Sequence, residues 1–170
     1  MRKIMSLVMI LIIIVSGCSG GSPSSTPPDT IPKEPSVNMI LILGNLGSAM
    51  TGRDINTVLS YYDNPMVFTD TSNQKYSYTK SDLQSLFQTL FDRVRPIFNY
   101  DFTFIKNLSV TDDIIVAQYS VDIAAWESSR VENSSTQQIT IQKIDGNWMI
   151  TNQQILSTTN TSTLYLVGLQ

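Results

Sequence analysis

Histidine is absent from the 170 residues, and cysteine occurs once, at Cys18. The first absence removes the commonest general base near neutral pH and the commonest metal ligand. The second leaves no internal disulfide, so a hydrophobic core must hold the domain. The chemistry left to the chain is that of carboxylates, tyrosines and tryptophans at a few distinctive places. Asp70 follows the apolar run Met66-Val67-Phe68. A carboxylate buried beside an apolar pocket has its pKa raised, whereas an aspartate after a strand also favours a turn through its own side-chain hydrogen bonds. Tyr61 and Tyr62 close a short amphipathic segment; one is expected to pack and the other to stay exposed, and a buried hydroxyl there would be a polar handle. Trp148 follows a turn and is expected in the core rather than stacked on a ligand. Asp112 and Asp113 are adjacent acids in a turn, and a calcium site would need more oxygen ligands close by. Lys and Arg number 11 against 14 Asp and Glu, with no basic cluster. Nucleic acid, which needs clustered cations, is not an expected partner. No metal or cofactor is expected.

The elements that must position these residues follow from hydrophobic period. Met39, Ile42, Leu43, Leu46, Ala49 and Met50 fall close to helical spacing, and the spacing predicts a helix ending at Thr51-Gly52. Ile40 and Leu41 break the amphipathic pattern, and Gly44 and Gly47 each weaken a helix by about 1 kcal/mol against Ala, so a buried strand competes there. Asp54 is placed to cap a second, short helix carrying Ile55, Val58, Leu59 and Tyr62, which Pro65 stops. Met66 to Phe68 reads as a short strand and Thr71 to Ser77 as a polar turn. Thr79 or Ser81 caps a third helix with Leu83, Leu86, Phe87, Leu90, Phe91 and Val94 along one face. From Phe98 to Ile155 the period changes to two. Phe98, Tyr100, Phe102 and Phe104 alternate with polar residues, as do Ile115, Ala117, Tyr119, Val121, Ile123 and Ala125, then Ile139 and Ile141. Asp145-Gly146 marks a hairpin before Trp148 and Ile150. The expected class is α+β: a curved antiparallel sheet of four long strands plus a short strand, covered on one face by about three N-terminal helices.

Ahead of this domain, Met1-Arg2-Lys3 and the apolar run Ile4–Val15 read as the charged and hydrophobic parts of a signal peptide. The run is shorter than the roughly 20 residues a membrane span needs. Val15-Ser16-Gly17-Cys18 then resembles the bacterial lipoprotein signal. The resemblance implies cleavage before Cys18, a lipid on its sulfur, palmitate among the acyl chains, and a membrane location on the extracytoplasmic side. Ser19–Ser36 is rich in Ser, Pro and Gly and reads as a tether, with a mean reach of about 24 Å as a flexible coil. The chain thus divides into a signal at 1–17, an anchor and tether at 18–36, a folded domain at 37–156 and a tail at 157–170.

Within the domain, Gly52-Arg53-Asp54-Ile55-Asn56, Val58-Leu59-Ser60-Tyr61-Tyr62, Met66-Val67-Phe68-Thr69-Asp70 and Asp145-Gly146-Asn147-Trp148-Met149-Ile150 resemble, in order and spacing, the nuclear transport factor 2-like superfamily. That resemblance implies the cone-shaped, cystatin-like fold shared with ketosteroid isomerases and polyketide cyclases, with a pocket where helices meet the concave sheet. Tyr62, Phe68, Asp70, Phe87 and Trp148 are the residues expected to line it. In the isomerase branch an aspartate after the first short strand is the general base, and Asp70 matches that position. The donor tyrosine of that branch falls on Leu46, which cannot donate, and the histidine of the dehydratase branch has no counterpart here. The turn reading of Asp70 is therefore preferred over a catalytic one.

Three functions follow. A noncatalytic, lipid-anchored domain would bind a small apolar ligand in its pocket. A scaffold would bind an envelope protein or a second copy through the polar sheet face formed by Asn99, Asp101, Thr103, Gln118, Ser120, Asp122, Gln138, Thr140 and Gln142. An isomerase- or cyclase-like enzyme would work through Asp70. The first is favoured. The tail from Ser157, polar and then apolar at Leu164 to Val167, has no period of its own.

Overall fold

The computed structural model describes residues 31–93, 99–126 and 130–159. The expected signal, Cys18, most of the tether, Val94, Phe98 and the tail from residue 160 lie outside the described residues. Helix α1 spans Val37–Gly52 and buries Met39, Ile42, Leu43, Leu46, Ala49 and Met50. Ile40 and Leu41, the two residues at odds with an amphipathic helix, are exposed, as is Val37 in its first turn. The helix prevails over a strand because three-and-four spacing gathers every buried side chain on one side. Arg53 ends it in the left-handed region at φ 59°. Asp54 then caps α2, Ile55–Ser60: its carboxylate accepts from the Thr57 amide at 3.1 Å and the Thr57 hydroxyl at 2.6 Å. These bonds hold the Asp54 carboxyl below the usual carboxylate range.

Strand β1, Tyr62–Thr69, is longer than expected and contains Pro65. The proline does not stop the helix, which has already ended at Ser60. It falls in the interval between Tyr62 and Val67 where pairing with the neighbouring strand shifts, so its missing amide breaks no registered pair. A further correction concerns the stretch 71–77. It contains strand β2, Lys75–Tyr78, paired antiparallel with β1 from Met66↔Tyr78 to Thr69↔Lys75. This strand is short, and its alternating Tyr76 and Tyr78 are only half-buried, so its composition reads as turn. Helix α3, Lys80–Arg93, opens on a reciprocal cap. Asp82 accepts from the Thr79 amide at 2.8 Å and hydroxyl at 2.7 Å, and Thr79 Oγ1 accepts from the Asp82 amide at 3.2 Å.

Strands β3 (Asn99–Val110), β4 (Ile114–Trp126), β5 (Arg130–Ile144) and β6 (Asn147–Thr158) form the expected meander. Asp145 at φ 50° and Gly146 at φ 83° make the tight turn between β5 and β6. The sheet has six strands rather than five, in the order β2-β1-β6-β5-β4-β3. β1 joins β6 in parallel and so ties the first hairpin to the meander. One face buries Ile115, Ala117, Tyr119, Val121 and Ile123 of β4, Ile139 and Ile141 of β5, and Ile150 and Ile155 of β6. These belong to one core cluster with the buried sides of α1 and α3. The same inward row of β5 continues through Gln137 and Ser135, both buried. They bond to each other and to β6: Gln153 Nε2 donates to Gln137 Oε1 at 2.6 Å, and Gln137 Nε2 donates to Ser135 Oγ at 2.8 Å. Asp112 and Asp113 occupy the β3–β4 turn, closed by Thr111 on Ile114. Among the described residues, no three His, Cys, Asp or Glu side chains are placed to hold a metal ion.

Candidate functional site

A groove of about 640 Å³ lies between α1 and β3. One wall is a stripe of small residues, Gly44, Gly47, Ser48 and Thr51, with Ile40 and Leu43 toward the start of the helix. The other is aromatic: Tyr100, Phe102 and Phe104 of β3 and Tyr119 of β4. Period two in β3 turns Tyr100, Phe102 and Phe104 to the same face, and Tyr119 pairs with Phe104 across the ladder. Its ring meets Phe104 edge-on at 5.5 Å and Phe102 at 6.5 Å, the perpendicular geometry aromatic quadrupoles favour.

Glycine is required in this wall at one position. A Cβ on Gly47 would stand 2.5 Å from the carbonyl oxygen of Tyr100, so helix and strand could not approach as they do. A Cβ on Gly44 would meet nothing within 4 Å. Gly47 brings the walls together, and Gly44 leaves space between them.

Polar groups in the groove are few. The Ser48 hydroxyl donates to the Gly44 carbonyl at 3.0 Å, within its own helix. Asp101 stands exposed at the rim. Tyr119 is 3% exposed, and its buried hydroxyl has no hydrogen-bond partner among the described residues. Burial pushes its pKa up to about 12, so the phenol stays protonated and remains a donor at neutral pH. Among the described residues no lysine, arginine or histidine lines the groove.

The five residues expected to line a pocket stand elsewhere. Tyr62, Phe68 and Phe87 are 1–2% exposed and belong to the core. Tyr62 packs on Phe87 with ring centroids 5.8 Å apart, and burial first, then the neighbouring Tyr100, raises its pKa well above the ordinary tyrosine value. Trp148 is half-buried against the same cluster. Tyr61, beside Tyr62, is half-buried too.

Asp70 closes the β1–β2 turn. Its Oδ1 accepts from the amides of Ser72 at 2.8 Å and Gln74 at 2.9 Å, and its Oδ2 accepts from the Tyr76 hydroxyl at 3.3 Å. The aspartate does not line the groove. Asp70→Asn keeps an oxygen for both amides and loses only the Tyr76 bond. A fall in stability of about 1 kcal/mol or less is therefore expected in urea denaturation, with ligand uptake unchanged. Leu46, at the position of the isomerase branch's donor, is a fully buried core residue.

The residues that do form the groove were present in the sequence under other descriptions. Gly44 and Gly47 registered as helix weaknesses, and Tyr119 as one member of a buried row. Gly44, Gly47, Ser48 and Thr51 recur at i, i+3, i+4 and i+7, a small-residue stripe on one helix face, and that was the available signal.

No protein-family profile matches the sequence, and no curated protein does. Solved structures do match the fold. A ketosteroid isomerase-like protein from Erwinia carotovora atroseptica superposes with a TM-score of 0.57 at 13% identity, over 71% of this chain and 95% of that one. An NTF-2 like protein of unknown function from Shewanella oneidensis gives 0.56 at 10% identity, over 69% and 95%. A conserved protein from Planctomyces limnophilus gives 0.60 at 12% identity, over 69% and 91%. At such identities the likeness speaks for the backbone and for nothing carried on it. On that evidence, and on the order of its six strands and three helices, the chain has the nuclear transport factor 2-like fold.

Proposed function

We propose that this chain is a lipid-anchored, extracytoplasmic binding domain without catalytic activity, and that the groove between α1 and β3 takes a small, neutral, apolar ligand. The observation that carries the reading is an aromatic-walled groove of about 640 Å³ lined by Tyr119, whose buried hydroxyl lacks a partner among the described residues. Ligand sites of this kind are mainly apolar with a few polar groups that fix orientation. A ligand oxygen accepting from Tyr119 would satisfy a group that is costly to leave unpaired. The described lining residues include no cation, which favours an uncharged ligand. A noncatalytic role is supported by the turn contacts of Asp70 and by Leu46, which offers no donor. Anchoring is supported by the lipoprotein-like stretch Val15–Cys18.

Gly44→Phe tests the groove. A Cβ at position 44 meets nothing within 4 Å, so the substitution starts without a clash and carries its ring at the groove wall. In native mass spectrometry of the Cys18→Ser chain, a bound apolar compound is expected on the parent and at least tenfold less on Gly44→Phe. Equal occupancy in the two proteins would place the ligand elsewhere and refute the assignment.

A further inference from the structure

We infer that the exposed apolar face at the start of α1 rests on the lipid bilayer and that the groove opens beside it. The proposal builds on the reading of Cys18 as a lipidated residue and adds an orientation that lipidation alone does not provide.

Three observations meet at this place. Val37, Ile40 and Leu41 lie at i, i+3 and i+4, on one side of the first turns of α1, and are 69%, 49% and 56% exposed. The other exposed large apolar side chains among the described residues, Ile31, Ile105, Ile114 and Leu156, are not grouped on one helix face, and α1 itself buries Met39, Ile42, Leu43 and Leu46 on its other side. The face is therefore an apolar surface without a partner among the described residues.

The second observation is where the chain enters the domain. The side-chain amide of Asn107 donates to the carbonyls of Pro32 and Glu34, each at 2.7 Å. Asn107 is inward and buried because pairing between β3 and β4 slips between Phe104 and Lys106, which reverses the alternation of the strand. These two hydrogen bonds hold residues 32–34 on the body of the domain, a few residues ahead of Val37. Residues 19–31, read as tether from their composition, lie between this clamp and Cys18. A coil of that length has a mean span of about 20 Å. The apolar face thus stays close to the point where acyl chains would enter the membrane. Such tethering raises the effective concentration of the surface, so that a contact too weak to act alone is populated.

The third observation is continuity with the groove. Ile40 belongs both to the exposed face and to the groove lining. A molecule dissolved in the bilayer would therefore meet an unbroken apolar path from Val37 and Leu41 past Ile40 to Phe104. Lys33, exposed beside the carbonyls that Asn107 holds, is matched by the exposed Glu34, so the contact rests on apolar side chains rather than on charge. The chemistry fits an interfacial surface: apolar residues on the contact side and a chain entry that holds it in place.

The test uses the full acylated chain in vesicles of phosphatidylcholine and phosphatidylglycerol. With Cys18 acylated, Leu41→Cys offers a lone thiol for an environment-sensitive fluorophore, and Lys75→Cys, exposed in β2 at the far edge of the sheet, offers the control. A blue-shifted emission at position 41 that is quenched by lipid-borne quenchers, together with aqueous emission at position 75, is the expected result. Aqueous emission at both positions overturns the proposal. Shielding at position 41 without lipid quenching also overturns it, because a second copy or the chain's own segment 164–167 would then be the cover. The mass of the N-terminal peptide reads acylation of Cys18 separately. A chain found unmodified there refutes the anchor, and the two labels are then read in the Cys18→Ser background on the soluble protein mixed with the same vesicles, where lipid quenching at position 41 still decides for the face.

Discussion

Phe87→Ala is expected to destabilise the domain by about 3–5 kcal/mol, measured as a shift in the urea midpoint at unchanged slope. Phe87 is 1% exposed and stands at the centre of an aromatic group, 5.8 Å from the ring of Tyr62 and 6.3 Å from that of Phe91. Truncation removes the transfer energy of a full ring and leaves a cavity walled by α3 and β1, elements also held together by the Asn64 side chain accepting from the Lys80 amide at 3.1 Å. That bond resists collapse of the space, which places the loss toward the upper end of the range. A domain of this size has about 5–15 kcal/mol in hand, and its sole cysteine offers no disulfide reserve. A substantial unfolded population at physiological temperature is the expected consequence. Phe87→Leu, which conserves most of the volume, should lose less than half as much.

The second large effect contrasts two glycines of one helix. In a helix interior, Gly→Ala ordinarily stabilises by up to about 1 kcal/mol, through reduced freedom of the unfolded chain. Gly44→Ala should do so, because its Cβ enters open space. Gly47→Ala should reverse the sign and destabilise by about 3 kcal/mol. Its Cβ would stand 2.5 Å from the Tyr100 carbonyl, a backbone atom that cannot rotate away. Relief requires α1 and β3 to separate, and β3 is an edge strand held on one side by β4 alone. The helix–strand spacing of the groove would change with it. Thermal unfolding of the two variants in parallel checks the prediction. Gly44→Ala melting above the parent and Gly47→Ala well below it is the expected pair, and equal shifts would show that Gly47 is not a contact residue.

The same two residues show how far the amino-acid sequence reaches. Period and capping residues determined the elements: Met39 to Met50 as a helix side, Asp54 and Thr79 as caps, Asp145-Gly146 as a hairpin, and the alternation of β4 as a buried row. Each of these rests on interactions within a few residues, so local chemistry suffices. Strand β2 escaped because a four-residue edge strand buries too little to impose a period, and its pairing with β1 is tertiary. Gln137 and Gln153 are similar. Counting back by two from Ile141 places Gln137 inside, but its tolerability depends on Ser135 and on a β6 residue 16 positions away. The site was the least legible part. A groove is the volume that side chains from distant elements fail to fill, and no single segment encodes that difference. The sequence by itself determined the helices, most strands, the α+β class and the lack of histidine chemistry. Only the tertiary structure decided that Tyr62, Phe68 and Phe87 fill the interior, that Asp70 closes a turn, and that space remains where glycines of α1 face the aromatics of β3, because packing is a sum over the whole chain.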